Sequence, residues 1–361
     1  MNFFKKCAAA LIASAMLLSF SACSSDTGWI MQKGELEMPA GVYINNMIQS
    51  YYEASMLVED PQKDILKQEI DGVKASEWIE NEALNLTKEN MAICDLFNEL
   101  GLSFTDQELM TAHSQAESYY AKAGEGLEKN GISQNSVELM YQITYMRAKV
   151  FDTLYGEGGE KEVKEEEIQK YYDDNYIKMA VQTFNLPVKQ ELAEDATEQE
   201  KESAQQVYDM QLSPIVTQSE QLYLEGQIAF DNGKDWNDAL NMYKKNNQPE
   251  GFAPEDYDMT TDNYRLLDTA TTPLNPEIIG ALKEANQGEM VKVRTDTMIA
   301  IGATTDIHED PTDYEFVRNQ IIHDLKEEEF NTYLQEKASG EGFVVNEKSV
   351  DRYTAGKLDI E

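Results

Sequence analysis

Three histidines and three cysteines are the residues in this chain best able to do nucleophilic, acid–base or metal chemistry. His113, His308 and His323 are scattered. His113 and His323 fall on stretches with helical periodicity, and His308 falls beside acids in a loop, so each reads as an ordinary surface or core histidine. Cys7, Cys23 and Cys94 include no CxxC and no paired Cys/His spacing, which leaves a structural zinc site unsupported. Cys94 lies in an apolar helical run and reads as a small core residue without a disulfide partner. GxSxG, P-loop, GxGxxG and HExxH patterns are missing, and "DNGKDWND" does not have EF-hand spacing. The expectation is a protein with no metal and no cofactor.

The chain has 361 residues, 41% apolar and 9% aromatic, enough for two or three packed domains. Its 67 acidic and 30 basic residues give −37, which argues against a nucleic-acid partner because such a surface repels phosphate. Solubility explains that charge, and so does attraction of basic partners; composition does not separate the two. At the N-terminus, "MNFFKK" is a short basic start and "CAAALIASAMLLSF" an apolar run too short for a comfortable membrane span. "SAC" follows, ending at Cys23. The pattern is similar to a bacterial lipobox, with Phe20 where leucine is usual. It implies a lipoprotein signal peptide over 1–22, lipid on Cys23, and anchorage at the extracytoplasmic face of a membrane.

These residues must be placed by the elements around them. Residues 23–40 are polar with Gly and Pro and read as a tether. From 41 to 160 the chain reads as all helix. Ile79, Leu86, Ile93 and Leu100 recur every seven residues, with Ala83 and Phe97 between them. Thr105 and Glu108 have capping-box spacing, "GEGLEKNGIS" reads as a loop, and Ser133 opens another helix. Residues 161–305 are mixed: a short helix at Glu165–Asn175, a strand at Met179–Leu186, and a polar helix over 198–230 that Pro214 is expected to kink or split. A compact helix carrying Trp236, a loop-rich stretch over 247–275, a helix from Pro276, and two short strands about Thr295-Asp296 complete it. Residues 306–361 begin with a second capping box, Thr312 and Glu315, and return to helix. The fold class is therefore α+β, mostly helical, with an α+β domain inserted into a discontinuous helical one.

Several stretches carry a resemblance to the secreted foldase and periplasmic chaperone family of PrsA/SurA type. "FTDQELMTAHSQAE" resembles the start of a family helix, and "EVKEEEIQKYYDDNY" the junction into its isomerase domain. "GKDWNDALNMYKKN" and "NPEIIGALKEANQGEM" resemble two helices of its parvulin-like domain, and "YEFVRNQIIHDLKEEEFNTYLQE" its returning C-terminal helix. The resemblance covers most of 40–350 and implies a helical chaperone domain around a parvulin-like domain.

Active parvulins carry two histidines facing each other across the sheet and a proline pocket lined with apolar side chains. Here "VQTFNL" puts Thr183 at the first histidine, "TDTMIAI" leaves Met298 or Ile299 at the second, and Ile278 stands at the pocket phenylalanine. Rotation about X-Pro faces a barrier of about 18–20 kcal/mol, lowered only by preorganised polar groups. With these degenerate positions the expectation is a catalytically inactive domain. A chaperone needs instead a surface that holds unfolded, exported polypeptides. Tyr51, Tyr52, Met56, Tyr119, Tyr120, Tyr141, Tyr145 and Met146 are the candidates, since Tyr and Met give adaptable contact area. The same spacing also suits a helical core. The alternatives are an isomerase with a divergent pocket and a lipoprotein that binds one dedicated partner.

Overall fold

The computed structural model describes residues 28–193, 196–248 and 252–360; Cys7, Cys23 and the expected signal peptide lie outside them. The chain divides into two compact units. One runs through Val163 and resumes at His323; the other is Lys164–Ile322.

The first unit opens with β1 (Trp29–Lys33) and β2 (Leu36–Pro39), an antiparallel hairpin. Residues 28–39 are therefore strand, not tether. Ile30, Met31 and Met38 are buried, and Asn346 Nδ2 donates to Trp29 O at 3.0 Å, so the hairpin is held from the far end of the chain. The helices α1 (Ala40–Leu57), α2 (Ala75–Glu99), α3 (Asp106–Lys129) and α4 (Gln134–Tyr155) follow. A two-stranded ribbon, β3 (Glu69–Ile70) and β4 (Val73–Lys74), joins the first two. The buried row of α2 passes through Ile79, Ala83, Thr87 and Met91, while Leu86 and Leu100 are only half-buried. Thr87 is tolerated there because it donates to Ala83 O at 2.7 Å and accepts from Asn46 Nδ2 at 2.9 Å. Leaving either group unpaired would cost about 1–3 kcal/mol.

Thr105 and Glu108 form the expected capping box. The loop expected from residue 124 begins later, because α3 continues to Lys129: Leu127 is buried against Ile132 and Val137, which outweighs the low helix propensity of Gly124 and Gly126.

The second unit contains α5 (Glu165–Asn175) and β5 (Tyr176–Asn185), then α6 (Glu198–Asp231) and α7 (Trp236–Asn246). After these come β6 (Arg265–Asp268), α8 (Pro276–Glu284), β7 (Val291–Arg294) and β8 (Met298–Thr305). The four strands make one antiparallel sheet in the order β6-β5-β8-β7. Its two faces follow the period-two rule. Ala180, Phe184, Ile299, Ile301 and Ala303 face the core shared with α6 and α7, where Trp236 donates its indole N–H to Ala180 O at 2.8 Å. Ile177, Met179, Val181, Met298 and Ala300 face α8. Helix α6 runs unbroken through Pro214, so the expected split does not occur.

Helix α9 (Pro311–Ala338) starts differently from expectation: Asp310 accepts from Thr312 N at 2.9 Å with Pro311 in the first turn, so Asp310, not Thr312, is the cap. The chain ends with β9 (Val344–Val345), which pairs with β1, and α10 (Glu347–Val350).

Candidate functional site

Strand register decides which sequence candidates meet. Thr183 lies directly across from Ala300, and Ala300 across from Val293. In the next row Asn185 lies across from Met298; in the row on the other side Val181 and Val291 flank Gly302. Directly opposed residues share a face, so Thr183 and Met298 are on the α8 side. Ile278 is fully buried in the same cluster, with Ala300 beside it and Met298 packed against it. The structure thus brings Thr183, Ile278 and Met298 to one face. Ile299, the other possibility for the second position, points into the opposite core and is excluded from this face.

This face is apolar and partly open. Helix α8 covers Ile177, Met179 and Ala300, while Val181, Val293 and Met298 are half-buried and Thr183 and Asn185 are exposed. Gly302 has a steric reason: a Cβ there would come within 2.7 Å of Ala180 O and of the Val181 side chain. The hydrogen-bonding side chains here are the Thr183 hydroxyl and the Asn185 amide. Arg265, directly across from Met179 on β6, brings a guanidinium to the edge of the same face, where it donates to Asp262 O and Tyr264 O at 2.7 Å. Lys292, between Val291 and Val293, points to the other face and pairs with Glu220 at 2.5 Å. Such a surface can hold a peptide by apolar contact and two neutral hydrogen-bonding groups. Thr183, Ile278 and Met298 themselves offer no general acid or base.

The histidines are elsewhere. His113 Nδ1 is 2.8 Å from Glu138 Oε2, and that carboxylate holds its pKa above the ordinary imidazole value. His308 Nε2 is 3.3 Å from Asp173. His323 stacks on Phe151 with ring centroids 3.9 Å apart. Among the described residues no group of three or more His, Cys, Asp or Glu is placed to hold a metal ion. Cys94 is buried, and burial pushes its thiol up to about 12.

The helical candidates separate by exposure. Met146 is 3% exposed and is core, packed inward from α4, so it is not available for binding. Tyr120 and Tyr141 are half-buried against the cluster of Ala116, Leu127 and Val137. Tyr145 is half-buried and donates to Gln115 Oε1 at 2.9 Å. Tyr52, Met56 and Tyr119 are exposed, with Met56 at 79%. Tyr52 and Met56 are one turn apart on α1, and half-buried Tyr51 packs edge-on against Tyr52 at 6.1 Å. Leu57 and Met110 are also exposed. Sequence spacing passed over both, although Met110 falls outside the buried row of Ala112 and Ala116 and could have been found by that offset.

The chain is similar over most of its length to solved foldase structures. The foldase protein PrsA from Lactococcus lactis is 12% identical, with 91% of this chain and 100% of that chain covered and a TM-score of 0.37. PrsA from Streptococcus pneumoniae is 12% identical, with 81% and 97% covered and a TM-score of 0.39. PrsA from Bacillus cereus, a peptidylprolyl isomerase, is 14% identical, with 79% and 93% covered and a TM-score of 0.27. No family model and no curated protein matches the sequence. At these identities and scores the likenesses carry no functional argument by themselves.

The sheet is fixed at its β6 edge by a buried network that the sequence did not signal. Asn241 donates to Met259 O at 3.2 Å and Thr261 O at 2.8 Å, and accepts from Tyr257 at 3.0 Å and Asn263 at 2.8 Å. Lys244 Nζ donates to Asn263 Oδ1 at 2.6 Å, and burial lowers the lysine pKa. This network ties residues 257–264 to α7 and so sets where β6 begins. In the same unit α5 is tied to α9 by Glu165, which accepts from Tyr314 and from Arg318 Nη2 at 2.8 Å.

Proposed function

We propose that this protein is a foldase-like chaperone that holds extended segments of unfolded, exported polypeptides, and that its parvulin-like unit binds peptide without isomerase activity. The observation that carries this reading is the α8 face of the sheet. The three positions at which the family resemblance puts catalytic and pocket residues, Thr183, Ile278 and Met298, meet on a half-open apolar surface, and none of the three carries an ionisable side chain. The exposed Tyr52, Met56 and Tyr119 of the helical unit supply further contact area for unfolded chains. The lipobox-like "SAC" supports anchorage through lipid on Cys23, with the folded units outside the membrane. No described helix is long and apolar enough to cross a membrane.

Refolding of unrelated clients whose slow phase is proline isomerisation tests the reading, because yield and rate report different properties. A higher yield at an unchanged slow rate is expected. Thr183 favours one alternative: its exposed hydroxyl is a hydrogen-bonding group at the open end of the face, where a divergent isomerase would need one. Acceleration of the slow phase, abolished by Thr183→Val, would establish that alternative. No effect on yield or rate across several clients would favour a lipoprotein dedicated to one partner.

A further inference from the structure

Residues 353–360 lie as a strap across the helical unit. Tyr353 and Leu358 pack on the cluster of Ile44, Ala116, Leu127, Ile132 and Val137, against which Tyr120 and Tyr141 also pack. A single turn of 3-10 helix, Ala355–Lys357, lies between the two contacts. Ala355 is buried, Tyr353, Leu358 and Ile360 are half-buried, and Gly356, Lys357 and Asp359 are exposed.

Side chains of the body hold the main chain of the strap. Asn130 donates from Nδ2 to Asp359 O and accepts at Oδ1 from Asp359 N, both at 2.8 Å. The same Nδ2 donates to Gly126 O at 2.8 Å, which orients the amide from within its own helix end. Glu80 accepts from Ala355 N at 2.9 Å. A carboxamide that takes both main-chain groups of one residue does what a neighbouring strand would do, and it is indifferent to that residue's side chain. An apolar floor with fixed partners for a main chain is what recognition of an extended polypeptide needs. Two features say which polypeptide fits. The inward side chains Tyr353, Ala355, Leu358 and Ile360 follow at steps of two, three and two. Arg352 and Lys357 are exposed beside them, against the one acid Asp359, while the body offers Glu80 and Glu128 on a chain of net charge −37. Such a surface favours basic segments.

We propose that residues 353–360 are an internal stand-in for a client. They occupy a groove of the helical unit that takes extended, basic polypeptide segments, and a client binds by displacing them. This site rests on the holding function proposed above. The strap is joined to the body, so it competes at high effective concentration, and a client meets only the fraction of molecules whose strap is off.

Fluorescence anisotropy of a labelled peptide copying residues 352–360, RYTAGKLDI, tests this on the purified protein and on the same chain stopped after Asp351. The stopped chain should bind the peptide tighter by on the order of tenfold or more. That binding should weaken as salt is raised and when both cations of the peptide are replaced by glutamate. Asn130→Ala in the stopped chain should weaken it by about tenfold, through the loss of two hydrogen bonds. Hydrogen exchange on the intact chain needs no variant to fold. The amides of Ala355 and Asp359 should exchange by local opening, faster than those of α3 and α4, and faster still with peptide added. Equal peptide affinity of the two chains, or a strap that exchanges only as slowly as α3 and α4, would overturn the proposal. Client refolding yield reads the holding function separately. An intact chain that raises yield while both chains bind the peptide alike keeps that function and overturns this site. Peptide binding gained without any effect on yield keeps this site and overturns that function.

Discussion

His113 is exposed on α3, with Glu138 at 2.8 Å and Glu117 at 3.7 Å. The hydrogen bond to Glu138 is the main cause of its raised pKa, followed by that group's charge. A pKa raised in the folded state favours folding fully below the unfolded value, about 6.5, and the contribution disappears as pH rises through the folded value. In a proton NMR titration His113 should therefore show a midpoint above 6.5. His113→Gln should lower stability only on the acid side of that midpoint. A midpoint at or below 6.5 would show that the pairing is not maintained in solution. The α8-face residues show how far reading single residues can go. Alternation in "VQTFNL" and "TDTMIAI" indicates two strands, and Thr183 and Met298 do share a face. Choosing Met298 over Ile299 required the register, because a one-residue slip exchanges the faces. Among the tyrosines and methionines spacing could not decide at all: Met56 and Met146 both sit on periodic helices, yet one is exposed and the other is core.

Elements whose cause is local were legible. The Thr105–Glu108 capping box, the Ser133 cap and the strands about Thr295-Asp296 each depend on residues within one turn. Elements held from a distance were not. The β1–β2 hairpin is fastened by Asn346 and by pairing with β9, more than 300 positions away, so its own polar sequence reads as tether. Strand β6 is four residues long, and its approach is set by Asn241 and Asn263. Asn241→Ala removes two donated bonds to backbone carbonyls and the acceptor of the Tyr257 hydroxyl, while the Asn263 amide keeps its bond to Asn237 Oδ1 at 2.8 Å. The expected loss is about 2–4 kcal/mol, read from urea unfolding, with faster proteolysis between residues 257 and 264. A loss below about 0.5 kcal/mol would mean that apolar packing, not the asparagines, holds this segment.

At the scale of the whole molecule the order helical, α+β, helical was visible in composition. The join between the units was less so, because Ile322 and His323 lie inside the continuous helix α9, where no turn residue marks a change. The physical basis of the discontinuous unit is the packing of the later part of α9 on α4. His323 stacks on Phe151 at 3.9 Å, Phe330 packs edge-on to Phe151 at 5.2 Å, and Arg147 pairs with Glu327 at 2.6 Å. Just beyond α4, Lys161 pairs with Glu329 at 3.0 Å, and Val163 N donates to Tyr155 O at 3.1 Å. The chain thus leaves this unit near Tyr155 and re-enters it at Phe151, one helical turn away. A short Gly/Ser linker in place of Lys164–Ile322 should close that gap and leave the aromatic cluster intact. The shortened protein is expected to unfold in one cooperative urea transition and to keep a helical circular dichroism spectrum. Phe330→Ala in the same background should cost about 3–5 kcal/mol, because it removes the ring that Phe151 and Tyr155 both contact. If the shortened chain instead showed helical signal without a cooperative transition, the α+β unit would be needed to order the helical one. The holding function proposed for the exposed tyrosines could then not be separated from it. If it folds and still raises client yield, the helical unit holds clients by itself.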